Sequence, residues 1–138
     1  MWRNFFIVVV IYVCIMANAG QFAQDADILL RVGTNASATV KGAGWFDSII
    51  LDVEAVVNAM TRFDWSTADA ATTLNASVRG ILIDTGACLA AIEGISWDMS
   101  GFTSRIEAED MINVLRDTAL RNMSILRDKK VQKFIQEA

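Results

Sequence analysis

Between Phe46 and Phe63 the apolar residues fall at steps of three and four: Phe46, Ile49, Ile50, Val53, Val56, Val57, Met60 and Phe63. Asp47, Glu54, Asn58 and Thr61 occupy the positions between them. A half-buried strand repeats every two residues, so this spacing predicts a helix with one greasy side, about five turns long. A second stripe follows "FDWST": Leu74, Val78, Ile81, Leu82, Thr85, Cys88, Leu89 and Ile92. Ser66 or Thr67 is expected to cap that helix, with Asp69 in its first turn and Gly94 as a left-handed residue at its end. Gly80 and Gly86 either weaken this helix or let a neighbour approach closely.

The third pattern has the clearest start. Ser104-Arg105-Ile106-Glu107 reads as a capping box, with Glu109 and Asp110 close behind it. Ala108, Met111, Ile112, Leu115, Ala119, Met123 and Leu126 make the apolar side, and Arg127, Lys129, Lys130 and Lys133 suit the negative end of a helix. Nothing interrupts these runs, since the chain has no proline. The expected fold is all-α: a small bundle of three to four amphipathic helices over residues 45–138. Residues 20–44 are expected to form a loop or a short N-terminal helix, with "GTNASATVKGAG" read as loop.

The start of the chain has a different character. Met-Trp-Arg-Asn precedes 13 uninterrupted apolar residues, Phe5 to Ala17, and then the small-x-small site Ala17-Asn18-Ala19. That layout predicts a secretory signal peptide over residues 1–19, cleaved after Ala19. The run is shorter than the roughly 18 to 20 residues that span a bilayer. Retained, it would instead make the protein a membrane-anchored structural or assembly protein. Cleavage removes Arg3 and no acid, taking the formal charge from −4 to −5, so nucleic acid is not an expected partner. Cys14 goes with the leader, leaving Cys88 as a buried inert thiol or an intermolecular link. The absence of histidine removes the usual general base and the commonest zinc ligand. No metal, cofactor or catalytic residue is expected.

One motif challenges that conclusion. "ILIDTGACLA", Ile81 to Ala90, is spelled like the catalytic loop of an aspartic protease. Such chemistry needs two carboxylates sharing a proton, so a single Asp-Thr-Gly would require a homodimer of one-lobe chains using Asp84. Those enzymes also need a flap hairpin, further strands and a late apolar-apolar-Gly motif. Downstream of Asp84 stands a long helical run instead, and "NVLRD" lacks the glycine. Asp84 falls off the apolar stripe of the second helix and is expected to be a solvated acid.

Three Asn-x-Ser sequons mark potential glycan sites in a eukaryotic secreted chain: Asn35 in the expected loop, Asn75 on the shoulder of a stripe, and Asn122 near the apolar side of the third helix. The run "FDSIILDVEAVVNAM", an Ala/Thr-rich helix, and "SRIEAEDMINVLRDTALRNMSILRDKKVQKF" together resemble the fungal hydrophobic surface binding protein A family, which includes cell-wall galactomannoproteins. The likeness covers about residues 45–138, with Lys129-Lys130 and Phe134 as its most recognisable end. It implies a secreted or wall-associated non-enzymatic bundle that binds a lipid or fatty acid, or adsorbs to hydrophobic surfaces. Members usually carry one more helix beyond this region. Here a second copy of the chain, or the N-terminal segment, is expected to take its place.

On that reading Phe46, Ile50, Val53, Val57, Met60, Leu82, Leu89 and Leu115 are the candidate ligand-lining residues. The alternative is that they are plain core. Trp45, Trp65 and Trp97 stand near helix ends, where an indole either favours an interface or closes the core.

Overall fold

The structure is a computed structural model and describes residues 18–42, 44–70, 74–130 and 132. The apolar run of the expected leader lies outside the described residues. All regular structure among the described residues is helical. In chain order these are α1 (Asp25–Val32), a 3-10 turn (Trp45–Ser48), α2 (Ile50–Thr61), α3 (Trp65–Ala70), α4 (Ala76–Trp97) and α5 (Arg105–Arg127). None of them is long and apolar enough to cross a membrane. The all-α bundle expected from the spacing is what the chain forms.

α4 is the hub, packing along α5 and carrying α1 and α2 on its other sides. Its stripe is wider than the one the sequence suggested. Val78, Leu82, Thr85 and Cys88 are buried as expected, but so are Gly86, Ala87, Ala90, Ala91, Gly94 and Ile95. Small residues on several sides let backbones come close, and the glycines show what occupies the space. A Cβ at Gly86 would lie 3.1 Å from Ala23 Cβ and 3.2 Å from the Phe22 ring. At Gly94 it would lie 2.9 Å from Val40 Cγ1. Gly80 has nothing within 4 Å, so there the glycine only weakens the helix.

The segment over residues 20–44 therefore contributes to the core. Phe22, Ala23, Ile28, Val32, Ala36 and Val40 are all buried. Most of them join Phe46, Ile50, Val53 and Ile95 in the larger apolar cluster. Phe22 instead joins Val57, Trp65, Val78, Leu82 and Leu126 in a second one. Leu89 touches both clusters.

Several boundaries differ from expectation, each for a local reason. The five-turn helix is a 3-10 turn followed by α2, which stops at Arg62 in the left-handed region, φ 57°. Asn58 then ties the turn together, accepting from Trp65 N at 3.1 Å and donating to Ser66 Oγ at 3.1 Å. The expected second helix is two helices. Asp64, not Ser66 or Thr67, receives the Thr67 amide of α3, and Asn75 caps α4 by accepting from Ser77 N at 2.9 Å. Gly94 lies inside α4, which continues to Trp97. At α5, Ser104 Oγ accepts from Glu107 N, but the Glu107 carboxylate returns to Thr103 N rather than to Ser104, so only half of the capping box forms. Trp65 is fully buried, its indole N–H donating to Thr61 Oγ1 at 2.8 Å, whereas Trp97 is exposed.

Candidate functional site

The eight residues picked as ligand lining do not enclose a cavity. Phe46, Ile50, Val53, Val57 and Leu82 are buried against other side chains, which is what plain core looks like. Met60 is the reverse case, 48% exposed on the outer side of α2. Leu89 and Leu115 are half-buried.

The open apolar space is outside the core, where α2 and α4 diverge. Ile49, Val53 and Val56 form one wall of a groove, and Leu89 and Ile92 form the other. Asp52 and Glu93 stand at its rim, and it holds about 300 Å³. Val56 is half-exposed, and Met60, four residues further on, extends the same side of α2. Two of the candidate residues, Val53 and Leu89, thus line it together. A second hollow of about 560 Å³ lies between Arg31 of α1 and Ile106, Asp110, Met111, Val114 and Leu115 of α5; it contains Leu115 but has more charge around it.

Asp84 corrects the expectation of a solvated acid. Asp84, Thr85 and Gly86 sit inside α4, with none of the strand-and-turn geometry that a protease loop requires. The Asp84 carboxylate is a junction among three helices. Oδ1 accepts from Arg31 Nη2 of α1 at 2.7 Å and from Nε at 3.0 Å, while Oδ2 accepts from Asn122 Nδ2 of α5 at 2.7 Å. Burial pushes this carboxyl up, but the Arg31 and Asn122 hydrogen bonds outweigh it and hold Asp84 below the usual range. Cys88 lies beside it, with Sγ 3.8 Å from Oδ1. Burial, then the Asp84 charge, pushes the thiol up, away from thiolate chemistry. The sequence placed Asp84, Arg31 and Asn122 on three separate segments, so no local spacing could reveal the cluster.

That junction also corrects one glycan site. Asn122 is 4% exposed and its Nδ2, the atom a glycan would occupy, is committed to Asp84. Asn75 is the α4 cap and half-buried, whereas Asn35 is exposed on the loop after α1.

Another carboxylate site was missed entirely. Glu54 of α2 is buried although it stands at a polar position of the heptad-like pattern. Its Oε1 accepts from the amides of Gln21 and Phe22, and Oε2 accepts from Ser66 Oγ at 3.3 Å. Asp25 is buried as well, accepting from Asn18 Nδ2 at 2.9 Å, and Asn18 Oδ1 accepts from the Gly20 amide. Burial pushes the Asp25 carboxyl up; the Asn18 hydrogen bond pulls it back in part, and the Asp47 charge adds to the rise. Among the described residues no lysine or arginine forms an ion pair with Glu54 or Asp25. No family model, curated protein or solved structure matches this chain.

Proposed function

We propose that this is a secreted, non-enzymatic helical module that seats the acyl chain of a lipid, or an apolar surface, along the groove between α2 and α4. The observation that carries the reading is the apolar line Ile49, Val53 and Val56, which faces Leu89 and Ile92 across open space. The tight core argues for binding on the outside rather than between the helices. A groove of about 300 Å³ is at the small end of ligand sites, enough for part of an acyl chain. Each methylene removed from water contributes about 0.8 kcal/mol. The resemblance to hydrophobic surface binding proteins points the same way.

Asp52 and Glu93 refine the ligand. Two carboxylates at the rim repel an anionic head, so a neutral or cationic headgroup suits the groove better than a free fatty acid. Titration with fluorescent long-chain probes, one neutral and one carboxylate-headed, tests this. The neutral probe is expected to bind saturably and more tightly. Val56→Asp is expected to weaken it by about tenfold or more, a 1.4 kcal/mol effect, with helicity and melting unchanged. Equal binding by wild type and V56D would remove the groove from consideration.

A further inference from the structure

The corner where the N-terminal segment meets α2 holds buried carboxylates with no ion-paired cation among the described residues. Gly20 is buried there. A Cβ on it would lie 2.6 Å from Ile50 Cγ1 and 2.9 Å from Glu54 Oε1, so any side chain here would have to displace them and the carboxylate sits close beside Gly20. The amides of Gln21 and Phe22 already point at Glu54. Gly20 N donates to Asn18 Oδ1 at 2.8 Å, and Asn18 in turn donates to Asp25 and to Gln24 Oε1. Two acids thus converge on this corner: Glu54 from α2, beside Gly20, and Asp25 from α1, reached through Asn18; Asp47 of the 3-10 turn adds its charge to Asp25. Both Glu54 and Asp25 are buried.

The residue on the other side of the bond is exposed. Ala19 is accessible, and it ends the small-x-small site that immediately precedes Gly20. The expected cleavage site and an acidic corner with no ion-paired cation among the described residues therefore meet at the same nitrogen.

We propose that cleavage after Ala19 makes the Gly20 α-ammonium the counter-charge of Glu54 and Asp25, locking the N-terminal segment onto the bundle. The proposal rests on the secreted reading given above. A processing peptidase hydrolyses the Ala19–Gly20 bond; the oxygen of water goes to the Ala19 carbonyl carbon and both hydrogens go to the Gly20 nitrogen. The leader leaves with Asn18 and a new carboxylate, and the mature chain begins with an ammonium. The new cation replaces the Asn18 side chain as the donor in the corner. A charge-assisted hydrogen bond is stronger than the amide donor it succeeds. Processing would then tighten the segment that supplies Phe22 and Ala23 to Gly86, coupling leader removal to core packing.

The test uses the whole precursor, secreted by a eukaryotic host under its own leader. Intact mass first reports where the product begins. A product still carrying residues 1–19 would overturn the secreted reading and this proposal with it. With a product beginning at Gly20, the α-amine is titrated by following its acetylation rate against pH, and melting is compared before and after α-acetylation. The expected α-amine pKa is at least about one unit above the usual value near 7.7. Acetylation is expected to lower the melting temperature by several degrees, and Glu54→Gln to abolish most of that difference. A Gly20 terminus that titrates normally and whose acetylation leaves melting unchanged would overturn the lock while leaving secretion intact. Should E54Q not fold, Asp25→Asn in the same precursor reads the α-amine pKa with the second carboxylate removed, and an unmoved high pKa would exclude Asp25 from the corner.

Discussion

Two carboxylates at helix junctions in this bundle, Asp84 half-buried and Glu54 buried, are satisfied in opposite ways. Asp84, at the junction of α1, α4 and α5, has a guanidinium against it and the Asn122 amide behind it. Glu54, at the junction of the N-terminal segment and α2, has two backbone amides and a hydroxyl, and no cation among the described residues. Both tie distant segments together. The difference is that the first site is electrically closed, whereas Glu54, and Asp25 linked to its corner through Asn18, have no ion-paired cation among the described residues. A closed ion pair fixes an interface; an unbalanced one leaves a place for a charge to arrive.

The sharpest way to break this comparison is Glu54→Ala. It strands the Phe22 and Gln21 amides and opens a gap beneath the N-terminal segment, with an expected cost of about 2–4 kcal/mol by urea unfolding. A cost near zero would mean those amides find water and Glu54 organises nothing. Asp84→Asn comes next, at about 1–2 kcal/mol, because Arg31 keeps partial solvent access and the pair is only half-buried. Its pH signature follows from the sign of the shift. Folding depresses the Asp84 carboxyl, so its contribution is present above the unfolded value and is lost as pH falls through the folded one. The wild-type advantage over D84N should therefore begin to fall near pH 4 and vanish only once pH drops below the lower folded value. Stability curves that stay parallel down to low pH would contradict the ion pair.

The smallest effect has the opposite sign. Folding raises the Asp25 carboxyl, so ionising it costs stability as pH climbs through the folded value. In protein that still carries Asn18, Asp25→Asn should be neutral to slightly stabilising at neutral pH and without benefit in acid. Differential scanning at two pH values reads this directly. A clear loss at neutral pH would show that Asp25 already has a cation partner, and the contrast between the two sites would collapse.

Legibility in the sequence followed the same division. The helical spacing from Phe46 to Phe63 and the Ser104 start of α5 were readable, because a helix repeats its own environment every three to four residues. The buried members Phe46, Ile50, Val53 and Val57 followed from that repeat. Val56 and Met60 obeyed the same spacing yet stand half-exposed, Val56 on the open groove between α2 and α4. The weak patterning of residues 20–44 concealed six core side chains, because a segment that packs as loop and short helix has no period to detect. On α4 the burial of alanines and glycines on several sides erased the stripe that marks a helix with only one buried face.

From the sequence alone came an all-helical chain, its longest helices and the small-x-small motif before Gly20, all consequences of neighbours a few residues apart. Tertiary structure decided that Asp84 pairs with Arg31, that Asn122 is closed to a glycan, that Glu54 is buried, and that the open apolar space is a groove rather than a cavity. Each of those depends on groups separated by many residues being brought within a few ångströms. Charge and burial act through space, and only the packed helices determine that geometry.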